Sequence, residues 1–319
     1  MSTSAALLER RPRVRIGPRA AGIAFALATA LISGVSIYVN GYAVKHFADA
    51  SVYTTAKNAV AGALLLLMWL AAGRAEQRRA PTEPFGRRAA ALLTVAVVGG
   101  SVPFVLFFEG LARAQATQAS FIQKTLVVWV ALLAMPLLRE RLRLPHALAI
   151  ALIMAGQVWL AGSLGTVAFG TGETMILIAT LLWAVEVVYV RHLLRTFRFG
   201  PSPLAAARLG LGTLLLLGWL AISGKLGGFA SFGTTQWGWV LLTGVLLTGY
   251  VATWYRALAR AQALDVTAVL VLGAPVTAIL SGAIDGTTIS LAGTLLVTAG
   301  VAVIAWASLR QRPRQAPAT

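Results

Sequence analysis

The chain has 319 residues, of which 58% are apolar and only 12% charged, with a mean hydropathy of +0.79 and a formal net charge of +17. That is half the charge of an average soluble domain, about 25%, so too little polar surface exists to coat a water-soluble fold. Cysteine is absent, which excludes disulfides, thiol nucleophiles and cysteine metal sites, and His46, His146 and His192 are scattered without ligand spacing, so neither a metal nor a cofactor is expected.

A basic tail, residues 1–19, precedes a first apolar run at 20–41. The run is longer than a signal-peptide core and no small-x-small site ends it, so it reads as a retained span. It presents Ser33, Ser36 and Asn40 at i, i+3 and i+7, a polar stripe on one helix face. The second run, 51–72, carries Lys57 near its start. A charged loop holding Pro81 and Pro84 leads to the third, 89–110, with Glu109 late in it. The fourth, 116–138, places Thr117, Ser120 and Lys124 on one face, and the fifth covers 145–163. The sixth, 173–190, has Glu186 near its middle, with Trp183 and Val190 on the same face. The seventh, 203–223, carries Arg208 near its start, and the eighth, 237–255, presents Thr243, Leu247, Tyr250 and Trp254. The ninth and tenth lie at 266–284 and 289–308, followed by a short tail, 309–319.

Runs near 20 residues match a hydrocarbon core about 30 Å thick. In lipid only helices or closed barrels satisfy their own backbone, and continuous rather than alternating runs select helices. The expected fold is an all-α integral membrane protein of ten transmembrane helices.

Charge placement tests this map. With the N-terminus in the cytoplasm, 21 of the 27 Lys and Arg fall on the cytoplasmic side. Only Lys45, Arg113 and Lys225 lie opposite, and Lys57, Lys124 and Arg208 fall inside spans. This is the positive-inside pattern, with both termini cytoplasmic, an even number of spans and a cell (inner) membrane location. The arginines sit in short loops between apolar runs, so nucleic acid is excluded as a partner despite the basic balance.

The halves, 20–163 and 173–308, resemble each other. Leu111-Ala-Arg-Ala-Gln-Ala-Thr117 recurs as Leu258-Ala-Arg-Ala-Gln-Ala-Leu264. Ala28-Thr29 and Ile37-Tyr38-Val39 match Ala179-Thr180 and Val188-Tyr189-Val190 at an offset of 151, which Lys57 and Arg208 share. Five spans per half is odd, so the second half inserts inverted, the arrangement of many secondary transporters.

The repeat joints resemble those of the drug/metabolite transporter superfamily, in its EamA-like branch. They are Phe108-Glu-Gly-Leu-Ala-Arg-Ala-Gln-Ala116 with Leu137-Leu-Arg-Glu-Arg-Leu142, and Tyr255-Arg-Ala-Leu-Ala-Arg-Ala261 with Gly273-Ala-Pro-Val276. Pro275 fits a proline common in the family, whereas its counterpart Val128 does not. The resemblance implies two five-helix repeats, a secondary transporter and export of a small metabolite or amino acid by alternating access.

Ionisable groups within spans are expensive and usually face a cavity or a partner. Glu186 reads as a proton- or ammonium-binding group, or as a group that only locks helices together. Lys124 and Glu109 stand across a short loop and read as a salt bridge, a gate or an anion site. Lys57 and Arg208, near span starts, read first as snorkelling to the interface. Ser33, Ser36 and Asn40, with Tyr250 and Trp254, line a solute path; alternatively the serine stripe serves helix bonding and Trp254 with Tyr255 forms an interfacial aromatic belt. The partners expected are a small-molecule substrate and the lipid bilayer, with a homodimer left open. Two rival classes remain: an intramembrane lipid-modifying enzyme needs catalytic groups clustered at one depth, and a scaffold needs neither Glu186 nor an inverted repeat. No phosphate loop, nucleophile elbow or metalloprotease motif is present, so ATP hydrolysis is not expected, and the charges within spans are dispersed single groups, so the chain is not expected to be an enzyme.

Overall fold

The computed structural model describes residues 17–77, 83–111, 113–114, 116–161, 169–197, 199–286 and 288–310. Most of both tails and the side chains of Thr117 and Ser120 lie outside the described residues. Ten helical rods account for nearly everything described: α1 (Pro18–Ala43), α2 (Ala50–Gln77), α3 (Phe85–Leu111), α4a (Ala116–Lys124) with α4b (Leu126–Leu138), α5 (Leu144–Ala161), α6 (Thr171–Thr196), α7 (Pro201–Ile222), α8 (Thr234–Arg260), α9a (Ala263–Leu270) with α9b (Gly273–Asp285), and α10 (Leu291–Arg310). Among the described residues, nine are long and apolar enough to cross a membrane, and the tenth, α5, carries a shorter apolar stretch, Leu144–Leu160. Several helices outrun the apolar runs: α6 continues to Thr196 and α8 to Arg260. Backbone bonding does not need lipid, and arginines in the last turn suit the negative helix end.

Consecutive rods alternate in direction, so the end where α1 begins and α10 finishes is here the proximal end and its opposite the distal end. The principal helix pairings cross between the halves: α5 with α10, α1 with α8, α3 with α6, α2 with α7 and α8, α4b with α6, and α1 with α9. Each has its repeat counterpart, α1–α8 matching α6–α3 and α4–α6 matching α9–α1. The glycines explain how close these crossings are. A Cβ at Gly34 would collide with Val276, at Gly62 with Gly210, at Gly156 with Val297 and at Gly300 with Ile153, every one in the other half. In lipid, where burial of apolar surface gives no drive between helices, such small-residue contacts supply the packing.

Two rods break at equivalent points. In α4 the helix stops after Lys124, Thr125 forms a turn, and Thr125 Oγ1 donates to the Ile122 carbonyl at 2.6 Å. In α9 it stops after Leu270, and Pro275, which has no N–H, begins the next segment's interior. Lys124 and Val271 share the 147-residue offset of the Leu-Ala-Arg-Ala-Gln-Ala repeat. So do the left-handed caps that end the two rods, Arg139 (φ 53°) and Gly286 (φ 70°), each bonded through its N–H to a carbonyl five residues back. Two wide π-helical turns, Ala96–Ser101 in α3 and Ala207–Leu211 in α7, face each other across the middle of the bundle. Such turns recur at functional sites because they re-aim side chains.

Candidate functional site

The π-turns set the centre. Gly99 presents no side chain, so Glu186 of α6 packs onto it; a Cβ there would come within 2.5 Å of the Glu186 Cγ. Trp183, one turn earlier, donates from its indole N–H to the Gly99 carbonyl at 3.2 Å and meets Phe104 and Phe107 with ring centroids 5.5 Å away. The α7 turn brings Arg208 to Glu186, with Nη1 3.5 Å from Oε2. Tyr255 of α8 donates to the other carboxylate oxygen at 2.6 Å. Glu186 is 1% exposed and Arg208 8%, so the pair is sealed from water. The sequence places Arg208 near a span start and suggests snorkelling; instead it points inward, because a buried carboxylate offers the charge it needs. Tyr250 lies within electrostatic reach of both ions and stacks on Trp254 at 6.2 Å. Trp254 is 2% exposed and belongs to the core, not to an interfacial belt.

A second polar cluster joins α1, α2 and α8 in the distal half. Asn40 Nδ2 donates to the Ser36 carbonyl at 2.7 Å and to Ser36 Oγ at 3.1 Å. Its Oδ1 accepts from Tyr53 OH at 2.7 Å and from Lys57 Nζ at 2.8 Å. Tyr53 OH also lies 3.0 Å from Thr243 Oγ1 of α8, and Lys57 Nζ stands 5.0 Å above the Tyr53 ring. Lys57 is therefore fixed within the bundle rather than snorkelling. Ser33 sits apart, beside Gly273 where α1 crosses the α9 break.

Lys124 ends α4a, half-buried, with no ion-pair partner among the described residues. Its expected partner Glu109 is engaged elsewhere: Arg113 reaches it at 2.7 Å and Lys225 at 3.6 Å. The i, i+4 spacing on α3 brings Arg113 onto Glu109 directly, whereas Lys124 lies two turns into the next rod. Lys225 also binds Asp49 at 3.0 Å, so the distal rim ties the α1–α2 connection to α3 and to the α7–α8 connection. Burial raises the Asp49 carboxyl, but hydrogen bonds from Ser51 and Lys225 outweigh it and hold the group at about 2. A depressed acid adds stability above its ordinary value of 3.8 and loses it as pH falls towards about 2. The rim is a third exposed, so screening limits the effect to about 1 kcal/mol or less. The melting temperature of Asp49→Asn should therefore fall less steeply than wild type across that acid range.

The proximal end carries a carboxylate to which the sequence gives no role beyond its place in the Leu137–Leu142 joint motif. Glu140, just past α4b, accepts the N–H groups of Ala263 at 3.1 Å and Leu264 at 3.4 Å, capping α9a from the other half. Arg191 of α6 stands 3.7 Å from the same carboxylate and donates to the Leu258 carbonyl of α8. Beside it, His146 and Asp265 approach within 3.5 Å, both fully buried. Burial raises the Glu140 carboxyl above its usual range, the capping N–H groups and Arg191 opposing. The signal was available: Glu140 is a lone carboxylate among Arg139, Arg141 and Arg143.

The two breaks are unequally enclosed. Every residue of α9a from Ala263 to Val269 is buried, whereas in α9b only Gly273 and Pro275 are. Phe121 and Lys124 on α4a are half-buried, while their repeat equivalents Ala268 and Val271 are buried. An apolar groove of about 510 Å³ lies elsewhere, between α5 and α10, lined by Leu144, Pro145, Leu148, Ala302, Val303 and Trp306; without a polar group it offers a solute nothing to orient it. Among the described residues no three His, Cys, Asp or Glu cluster as a metal site.

The pattern of the EamA-like transporter family matches residues 20–162 and 170–306. No curated protein matches the chain. Among solved structures, a crystal structure described only as that of a protein aligns with a TM-score of 0.73 at 19% identity, covering 92% of this chain and 99% of the other. At that identity the likeness concerns the fold.

Proposed function

Since the chain belongs to the EamA-like transporter family and is a multi-pass membrane protein, we propose that it is a secondary transporter working by alternating access about the paired breaks of α4 and α9. The observation that carries this reading is the unequal enclosure of repeat-equivalent residues at the two breaks among those described: Ala268 and Val271 are buried, whereas Phe121 and Lys124 are half-buried. In an inverted repeat, exchanging the two halves' conformations exchanges which side is open. With the basic loops in the cytoplasm, the proximal end is cytoplasmic, and this is an outward-facing state latched inside by Glu140. The solute is a small metabolite or amino acid, moved outward, the direction the family resemblance implies. Trp183, Tyr250 and the Ser33 region of α1 line its path.

Glu186 is the coupling carboxylate of this scheme. In the present state Arg208 balances its charge, so proton exchange requires α6 and α7 to part during the cycle. Glu186→Gln should abolish uptake driven by a pH gradient in proteoliposomes while sparing solute exchange without one.

The absence of cysteine makes the alternation directly testable. Thr267→Cys reports the proximal side and Ser36→Cys the distal side. Adding Glu140→Ala removes the cap on α9a, about 1 kcal/mol for the cap alone, together with the carboxylate beside Arg191, and should speed labelling of Thr267→Cys by a membrane-impermeant maleimide while slowing that of Ser36→Cys. If both rates rise together the fold has merely loosened, and if neither moves Glu140 is no latch; either result sinks the scheme.

A further inference from the structure

The repeat places one cation at the same position of the second helix in each half, Lys57, half-buried, on α2 and Arg208, buried, on α7. Each reaches back to the first helix of its own half. Arg208 finds a carboxylate there, Glu186, and the pair is neutral. Lys57 finds only the neutral amide of Asn40 and the face of Tyr53. Among the described residues no Asp or Glu lies within ion-pair reach of Lys57. A cation held inside a membrane protein without a counter-ion is expensive, and an ammonium has three donors, of which Asn40 takes one.

A second observation points the same way. On the adjoining stripe of α2, the Asn58 amide is fully buried with neither its oxygen nor its nitrogen hydrogen-bonded, and the Thr54 hydroxyl one turn before it is likewise unpaired, among the described residues. Buried polar groups without partners are rare and call for an absent partner. One turn of α2 therefore holds an uncompensated charge and two orphaned hydrogen-bonding groups. It lies in the distal half, the side left open in this state.

We propose that the Lys57–Asn58 turn of α2 is the binding site for an oxyanion group, carboxylate or phosphate, of the transported solute, which supplies to the first half the negative charge that Glu186 supplies to the second. The proposal rests on the transporter reading and names its substrate class: an organic anion or a zwitterion presenting its acidic group to α2. The stacked Tyr53 and Phe47 rings, 4.4 Å apart, give the site an aromatic wall, so aromatic acids are suitable probes.

The test uses the purified full chain and reads melting temperature against ligand concentration, since a native-state ligand raises it by mass action. Benzoate, phenyl phosphate and the uncharged benzamide are compared. Benzoate or phenyl phosphate should raise the melting temperature, and whichever acts identifies the oxyanion, while benzamide leaves it unchanged. Lys57→Gln keeps a donor for Asn40 but removes the charge, and should weaken the anion's apparent affinity about tenfold or more, as for loss of a charge-assisted bond. Lys57→Arg should retain most of it. No shift with either anion, an equal shift with benzamide, or an unchanged response in Lys57→Gln overturns the proposal. Maleimide labelling of Thr267→Cys and Ser36→Cys in the same preparation separates this from the carrier reading: anion binding without alternation would keep the site and remove the transport cycle.

Discussion

Glu186→Ala should cost about 3–5 kcal/mol of stability, because it strands Arg208 as an uncompensated buried cation. It also removes the acceptor of the Tyr255 hydroxyl, bonded to Glu186 at 2.6 Å. The size of the loss distinguishes a structural ion pair from a free carboxylate in a wet path, whose removal would leave the melting temperature nearly unchanged. Replacing both ions, Glu186→Leu with Arg208→Met, should recover most of the stability, since apolar groups of similar volume pack in place of a buried pair at little or no loss. Transport should not recover with it. Thermal unfolding of the three variants gives the energies, and uptake into proteoliposomes shows whether stability and function separate. A double variant no more stable than Glu186→Ala would mean that Arg208 is satisfied elsewhere.

Gly100→Ala should be at least as damaging, at about 3 kcal/mol or more. A Cβ at this position would overlap the backbone carbonyl of Arg208, which cannot turn aside as a side chain can. The two π-turns would be driven apart and Arg208 moved off Glu186, so stability and transport should fall together. Gly218→Ala is the matched control: it lies on α7 with nothing within 4 Å of the added carbon, and helix propensity alone makes it neutral or slightly stabilising. Equal melting temperatures for the two variants would show that α3 and α7 can separate at this crossing without consequence.

The spans were legible because length and hydropathy carry them locally, and five per half follows once the Leu-Ala-Arg-Ala-Gln-Ala segment is seen twice. The need of Glu186 for a partner was legible too, from its mid-span position. The identity of that partner was not. Arg208 looks interfacial in a linear reading, and it turns inward only because a π-turn re-aims it and two adjacent glycines on α3 let the helices meet. Trp254 and Tyr255 resembled an aromatic belt for the same reason, since span edges in sequence are not bundle edges in space. Lys124 and Glu109 were paired on loop length, but Arg113 stands one turn from Glu109 on its own helix and takes it. Glu140 is visible in the Leu137–Leu142 joint motif, but its role as a cap is not, because Ala263 and Leu264 lie more than 120 residues away in the chain.

The crossing of every major helix pair between the halves has a consequence for biosynthesis. When the fifth helix leaves the ribosome, none of the partners that fill Gly34, Gly62 or Gly156 has yet been made. The first half must wait in the bilayer with its grooves open to lipid and Lys57 already submerged, and it can close only as the second half threads in between. A chain interrupted after the fifth helix should therefore be a substrate for membrane quality control, and supplying the missing half as a separate polypeptide should rescue it.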